Sequence, residues 1–160
     1  MKKKLLYLDM DGVIADFDFG IKLFCPDLHT ANYESTAKRV DEICEANPEI
    51  FHTLRPIEDA IDSVRELFEL FDVYFLSTPM WNVPHSFMGK RIWLETYFGD
   101  AAEKRLILTH RKDFNVGDLL VDDGIRNGVD KFKGEHIHFN TDKFPDWKTT
   151  LPYLRNKAND

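Results

Sequence analysis

Cysteine is scarce in this 160-residue chain: Cys25 and Cys44 are the only two, and neither belongs to a CxxC pair. A structural zinc site is therefore not expected. Two isolated cysteines read as reduced thiols of a cytoplasmic protein rather than as a disulfide framework. Long apolar runs are missing too. No stretch approaches the roughly 18 residues that suggest a membrane span, and the apolar run at 5–8 is too short for a secretory leader. Basic clusters are confined to Lys2, Lys3 and Lys4, against a formal net charge of −7. A protein that grips a nucleic-acid polymer needs a basic face, so that partner class is not expected, and the three lysines read as a solvated chain end. Repeats and low-complexity segments are absent. What remains is an ordinary globular composition, 43% hydrophobic and 31% charged. The length predicts one domain with room for a small insertion.

Short apolar runs recur along the chain, bounded by turn signals. Residues 5–8, 73–76, 106–108, 119–121 and 136–139 read as strands. Helices are expected between them. The spacing of Ile57, Ala60, Ile61, Val64, Leu67, Phe68 and Phe71 predicts a helix with Glu58 and Asp59 in its first turn. Residues 84–98 predict another, with Pro84 at its start and Gly99 just past its end. A short helical stretch is expected at 125–132, and a last helix within 146–154. Strands alternating with helices indicate an α/β fold: a Rossmann-like parallel sheet with helices on both faces. The stretch after the first strand is too long for a simple crossover. Residues 16–71 therefore read as a small inserted helical cap on a core of residues 1–15 and 72–160, its last helix free to return to the core.

In an open parallel sheet, ligands bind beyond the carboxyl ends of the strands. Asp9 and Asp11 follow the first strand, Ser77 and Thr78 the second, and His110, Arg111 and Lys112 the third. Asp122 and Asp123 follow the fourth. Each group alone has an ordinary explanation: Asp11-Gly12 and Asp123-Gly124 are turn dipeptides, Ser77-Thr78-Pro79 can cap a helix, and a lone lysine is solvated. Acids, hydroxyls and a lysine at four successive strand ends make chance placement a poor account. Carboxylates about 4 Å apart repel by roughly 4 kcal/mol per pair at an effective dielectric near 20. Three of them need a cation or a shared proton. Magnesium suits oxygen ligands and bridges to phosphate, and lysine and hydroxyls hold phosphate oxygens. The expected chemistry is phosphoryl transfer. Asp9 attacks phosphorus, Asp11 acts as acid and then base, and Ser77 and Lys112 stabilise the transferring group. Asp122 completes the metal shell, with Asp123 behind it.

The ordered set DMDGV, a hydroxyl after the second strand, a lysine and a DD pair resembles the motifs of the haloacid dehalogenase-like phosphatases. The segments YLDMDGVIADF, LRPIEDAIDSVREL, FLSTPM, KRIWLETYFG and RLILTHRKDFNVGDLLVDD resemble, more narrowly, the 5'(3')-deoxyribonucleotidases, with a weaker echo in PDWKTTL. The resemblance implies magnesium-dependent removal of phosphate from nucleoside 5'- or 3'-monophosphates. It implies Asp9 as nucleophile, Asp11 as proton donor, and a metal held by Asp9, the Asp11 backbone carbonyl and Asp122. It also implies phosphate contacts from Ser77, Thr78 and Lys112, and a place for Phe17 near the nucleoside, where simple packing explains Phe17 equally well. Residues 18–49 depart from the family's cap. The aromatic pair expected to enclose the base has no clear counterpart there beyond Tyr33, and Gly124 stands where the family has an arginine. Oligomeric state is left open, a homodimer included.

Three alternatives stay open at this point: a phosphatase for another small phosphorylated metabolite, a phospho-receiver signalling module, and a silent binding domain. A receiver places its acidic pair first and its acceptor later, the reverse of the order here. His136 and His138 alternate on a strand and read as satisfied or exposed strand histidines rather than metal ligands. Trp81 is expected to border the site or to staple its loop, and Trp93 to belong to the core.

Overall fold

The structure is a computed structural model that describes residues 2–28 and 33–160, with only the backbone of residues 33 and 34. Its chain order begins β1 (Leu5–Leu8), α1 (Phe17–Lys22), α2 (Tyr33–Ala46), α3 (Ile50–Thr53), α4 (Ala60–Leu70) and β2 (Asp72–Ser77). It continues α5 (His85–Phe98), β3 (Leu106–Leu108), β4 (Leu119–Asp122), β5 (Glu135–His138) and α6 (Trp147–Asn159). The five strands form one parallel sheet in the order β3-β2-β1-β4-β5. The chain first builds outward from β1 through β2 to β3, then returns to the other side of β1 for β4 and β5. The carboxyl ends of β1 and β4 therefore flank the topological switch point, where such sheets place their ligands. No helix among the described residues is long and apolar enough to cross a membrane.

Strand side chains alternate between two cores. Leu6, Leu8, Val73, Phe75, Leu119, Val121 and Ile137 face the larger one, which gathers Trp93 and Leu94 of α5, Val64 and Leu67 of α4, and Trp147 and Leu154 of α6. Tyr7, Leu76 and Leu120 face a smaller one, closed by Val129 and Phe132 around a single 3-10 turn. Trp93 lies in the core, as its helical face predicts, and its Nε1 donates to the Leu54 carbonyl at 2.8 Å.

Two helices depart from their expected bounds for local reasons. The helix expected from Ile57 begins at Ala60, because Asp59 sits in the left-handed region (φ 61) and the Ile57 N–H is spent on the Ile14 carbonyl at 2.9 Å. The helix expected over 125–132 shrinks to the 3-10 turn Val129–Lys131, because Asn127 (φ 54) and Gly128 (φ 84) turn the chain left-handed just before it.

The helical insertion has a defined doorway. Ala15 pairs with Pro56 in an isolated bridge, and Asp16 N donates to the Arg55 carbonyl at 2.9 Å. The Arg55 guanidinium closes it with bonds of 2.9 and 2.8 Å to Asp16 Oδ2 and lies 3.4 Å over the Phe19 ring. Asp16 also caps α1 through Phe19 N. Within the insertion, Val40 and Cys44 of α2 are fully buried, so a weak stripe on that helix suffices to seat it. After the doorway α4 lies against α6, α5 and β2.

Candidate active site

β1 ends in a buried turn. The Met10 carbonyl accepts N–H groups from Val13, Ile14 and Ala15, at 3.2, 2.8 and 2.9 Å. Met10, Val13, Ile14 and Ala15 are all buried, so apolar packing fixes the turn that presents the acids. Asp9 Oδ1 accepts from Met10 N at 2.8 Å and from the Lys112 ammonium at 3.1 Å. Gly12 adopts φ 78, and a Cβ added there would fall 2.0 Å from Asp123 Oδ2. Only glycine meets both the turn and that carboxylate.

Lys112 reaches the acids from the short 3-10 segment Lys112–Phe114 after β3. Its Nζ is 2.5 Å from Asp122 Oδ2, while Asp122 Oδ1 takes the Gly124 N–H at 2.9 Å. Lys112 and Asp122 are both buried. Burial works against the lysine's charge, but Asp9 and Asp122 outweigh it and hold the ammonium's pKa above its ordinary value. Asp9, Asp122 and Asp123 each offer a carboxylate oxygen, all within 4.8 Å of one another. The cost of that crowding shows in the acids. Burial, with the charge of Asp9, pushes the Asp122 carboxyl up to about 7 against the pull of Lys112. Crowding by protein atoms around its carboxyl, with the charges of Asp9, Asp122 and Asp11, pushes Asp123 up to about 8, although the residue as a whole is exposed and solvent moderates that rise. One lysine does not neutralise three carboxylates, and an all-oxygen set of this density fits a hard divalent cation.

Ser77 and Thr78, at the end of β2, supply a different signal. Their hydroxyl oxygens are buried and have no hydrogen-bond partner. Such orphaned groups cost about 1–3 kcal/mol each unless a ligand takes them up. Ser86 Oγ, at the start of α5, accepts the Met80 N–H at 2.9 Å and so ties down the loop that follows them.

Expected neighbours fall as follows. Asp123, expected behind the metal, places an oxygen in the same cluster as Asp9 and Asp122. Phe17 stacks on Phe51 of α3, with centroids 5.6 Å apart and planes at 16°. Trp81 is exposed and meets His110 edge-on at 5.9 Å. Arg111 is engaged by Asp113 at 2.9 and 2.6 Å. His136 and His138 donate their Nε2 protons to the backbone carbonyls of Asp122 and Asp123, at 3.1 and 3.2 Å. The Tyr33 side chain lies outside the described residues. Sequence reasoning missed Lys90. Its Nζ donates to Asp11 Oδ2 at 2.6 Å from the middle of α5. Burial raises the Asp11 pKa, and Lys90 offsets part of that rise. A signal existed: Ser86, Gly89, Lys90, Trp93 and Leu94 share one buried helical face, which places a lysine on an inward stripe.

Comparison with known proteins agrees with this geometry. Residues 3–146 match the family described as 5' nucleotidase, deoxy (pyrimidine), cytosolic type C. A Vibrio phage KVP40 relative that carries the 5'(3')-deoxyribonucleotidase name is 43% identical, covering 95% of this chain and 85% of its own. The human 5'(3')-deoxyribonucleotidase, cytosolic type, is 33% identical, covering 82% of this chain and 77% of its own. Among solved structures, a HAD-hydrolase from Bacillus subtilis bound to magnesium superposes with a TM-score of 0.62 at 15% identity, over the whole of both chains. That likeness is one of fold.

Proposed function

The chain belongs to the 5'(3')-deoxyribonucleotidases of the haloacid dehalogenase-like superfamily, and from that premise we propose that it is a magnesium-dependent phosphomonoesterase forming an aspartyl-phosphate on Asp9. It is a hydrolase that removes phosphate from nucleoside monophosphates. Deoxynucleoside 5'- and 3'-monophosphates are the proposed preferred substrates, and residues 16–71 the cap insertion that covers them, its last helix α4 lying back against α6, α5 and β2. The carrying observation is the Lys112 ammonium between Asp9 and Asp122, at strand ends that also present two buried, unpartnered hydroxyls.

Asp9, Asp122 and Asp123 are the side chains suited to hold magnesium, with the Asp11 carbonyl as a further oxygen. When bound, the ion supplies positive charge that offsets the carboxylates and draws the phosphate in. The Ser77 and Thr78 hydroxyls and the Lys112 ammonium take the phosphate oxygens, which satisfies the orphaned groups. Both recorded bonds to Asp9 fall on Oδ1, which leaves Oδ2 to attack phosphorus. As the new O–P bond forms, the ester P–O bond breaks and its electron pair goes to the sugar oxygen. Asp11 delivers a proton to that oxygen. Asp11 then takes a proton from water, the water oxygen bonds to phosphorus, and Asp9 leaves as a free carboxylate with inorganic phosphate. Phe17 stands near the nucleoside in this reading, with Phe51 backing its ring.

A panel of phosphorylated metabolites tests it, with released phosphate measured with magnesium and with EDTA. Nucleoside monophosphates should be turned over only with magnesium, 2'-deoxy forms ahead of ribo forms. Faster turnover of sugar phosphates would assign the site to another metabolite. A stable phosphoprotein with no phosphate release would assign it to a receiver module.

A further inference from the structure

We infer that Lys90 is a positioning residue for Asp11: its ammonium fixes the carboxylate through Oδ2, and the helical insertion holds the ammonium in place. The inference rests on the reading of Asp11 as the proton donor. Lys90 is 1% exposed in the interior of α5. A buried ammonium costs several kcal/mol unless it is paired, and Asp11 is the one carboxylate within ion-pair distance of it among the described residues. Lys112 meanwhile serves Asp9 and Asp122. The two lysines thus divide the acids, one holding the nucleophile and metal cluster, the other holding the acid apart from it.

The insertion forms the other wall of the Lys90 site. The Phe51 ring centre lies 5.6 Å from the ammonium. α3 reaches it because residue 89 is glycine: a Cβ there would fall 2.6 Å from the Cβ of Phe51. Phe17 covers Phe51 in turn. The buried stripe of α5 would accept a leucine or methionine at position 90 for packing alone. A charge there is explained by what it holds. With Oδ2 engaged by Lys90, Oδ1 is the oxygen that carries the proton to the sugar oxygen as the P–O bond breaks. Pairing with Lys90 then receives the carboxylate that results.

Leaving groups separate this role from a structural one. A deoxynucleoside 5'-monophosphate expels a poor alkoxide and needs the acid, whereas p-nitrophenyl phosphate expels a good phenolate and does not. Lys90→Met should lower kcat on the nucleotide by about 10- to 100-fold, a fraction of what an acid supplies. KM should stay within about twofold, and p-nitrophenyl phosphate turnover within about threefold. Lys90→Arg should recover part of the loss. With Asp11→Asn already in place, Lys90→Met should cost less than about twofold more, because the pair acts as a unit. Should Lys90→Met not fold, Lys90→Gln and the Asp11→Asn/Lys90→Met double variant, which removes both charges, give the same comparison. Equal losses on the two substrates, or additive losses in the double variant, would show a merely structural lysine and overturn the inference. Equal losses for Asp11→Asn alone would overturn the acid assignment beneath it, while magnesium-dependent turnover by the wild type keeps the phosphatase reading separate from both.

Discussion

At the carboxyl edge of the sheet, charge is buried: Lys112 and Asp122 are 2% and 3% exposed. The helical insertion shows the opposite, with apolar side chains at the surface; Leu23 is 68% exposed and Phe24 50%. Neither arrangement is what stability alone selects, since buried charge costs desolvation and exposed apolar surface leaves its burial energy unused. The difference lies in what fixes each region. Asp9, Asp11 and Asp122 are each held by a named donor on a turn, a strand end or α5, and removing any of these donors strands a charge. The insertion is held at a narrow doorway and along the α3–α5 contact, with a longer polar contact from Asn82 to Asp41 of α2 at 3.4 Å. Chemistry should therefore fail abruptly when the edge is altered, and stability should fail gradually when the insertion is.

The largest expected effect is at the edge. Asp9→Asn keeps the size and the Met10 contact but removes the proposed nucleophile, and should lower turnover by at least roughly 10⁴-fold. Retention of near-normal magnesium-dependent turnover would break the comparison, because the edge would then tolerate loss of its central group. Phe51→Ala probes the other region. It empties a buried aromatic site on α3 and should cost about 3–5 kcal/mol, lowering Tm by roughly 6–20 °C. Turnover of p-nitrophenyl phosphate per folded molecule should stay within about tenfold. A loss as deep as that of Asp9→Asn would mean the insertion takes part in the chemistry of every substrate.

The smallest effect sharpens the electrostatic half. Asp122 and Asp123 have pKa values raised in the folded chain, so the native state binds more protons than the unfolded one between about pH 4 and 8. The stability they contribute is complete below the unfolded carboxylate value and is lost as pH rises through 7 to 8. His136, pushed below its ordinary value by burial, works the other way near pH 6. Metal-free protein should lose Tm from pH 6.5 to 8.5, and Asp123→Asn should flatten that slope. Magnesium at 100 times its Kd should restore about 2.7 kcal/mol. An unchanged slope in Asp123→Asn would show that the crowding carries no energetic weight.

The strands were legible because each is a short apolar run closed by a polar group, and that same boundary marked Asp9, Ser77, Lys112 and Asp122. The fold class followed from their alternation with helices. What escaped was backbone hand. Asp59 and Asn127 adopt left-handed conformations that their residue types permit but do not announce, and each shortened an expected helix. Lys90 escaped for another reason. A lysine is read as a solvated end, and its inward placement depends on the glycine before it admitting α3. That is a fact of tertiary packing, only faintly marked by the stripe of Trp93 and Leu94.

The bridge between Ala15 and Pro56 has a longer reach than its two residues suggest. It brings the ends of the excursion together, so the sheet sees only a pinched neck whatever hangs beyond it. Doubling the length of such a loop costs only about 0.6 kcal/mol. Most of that appendage can therefore vary in length at small entropic cost, whereas α3, whose Phe51 lies beside the Lys90 ammonium, cannot shift without disturbing the rim.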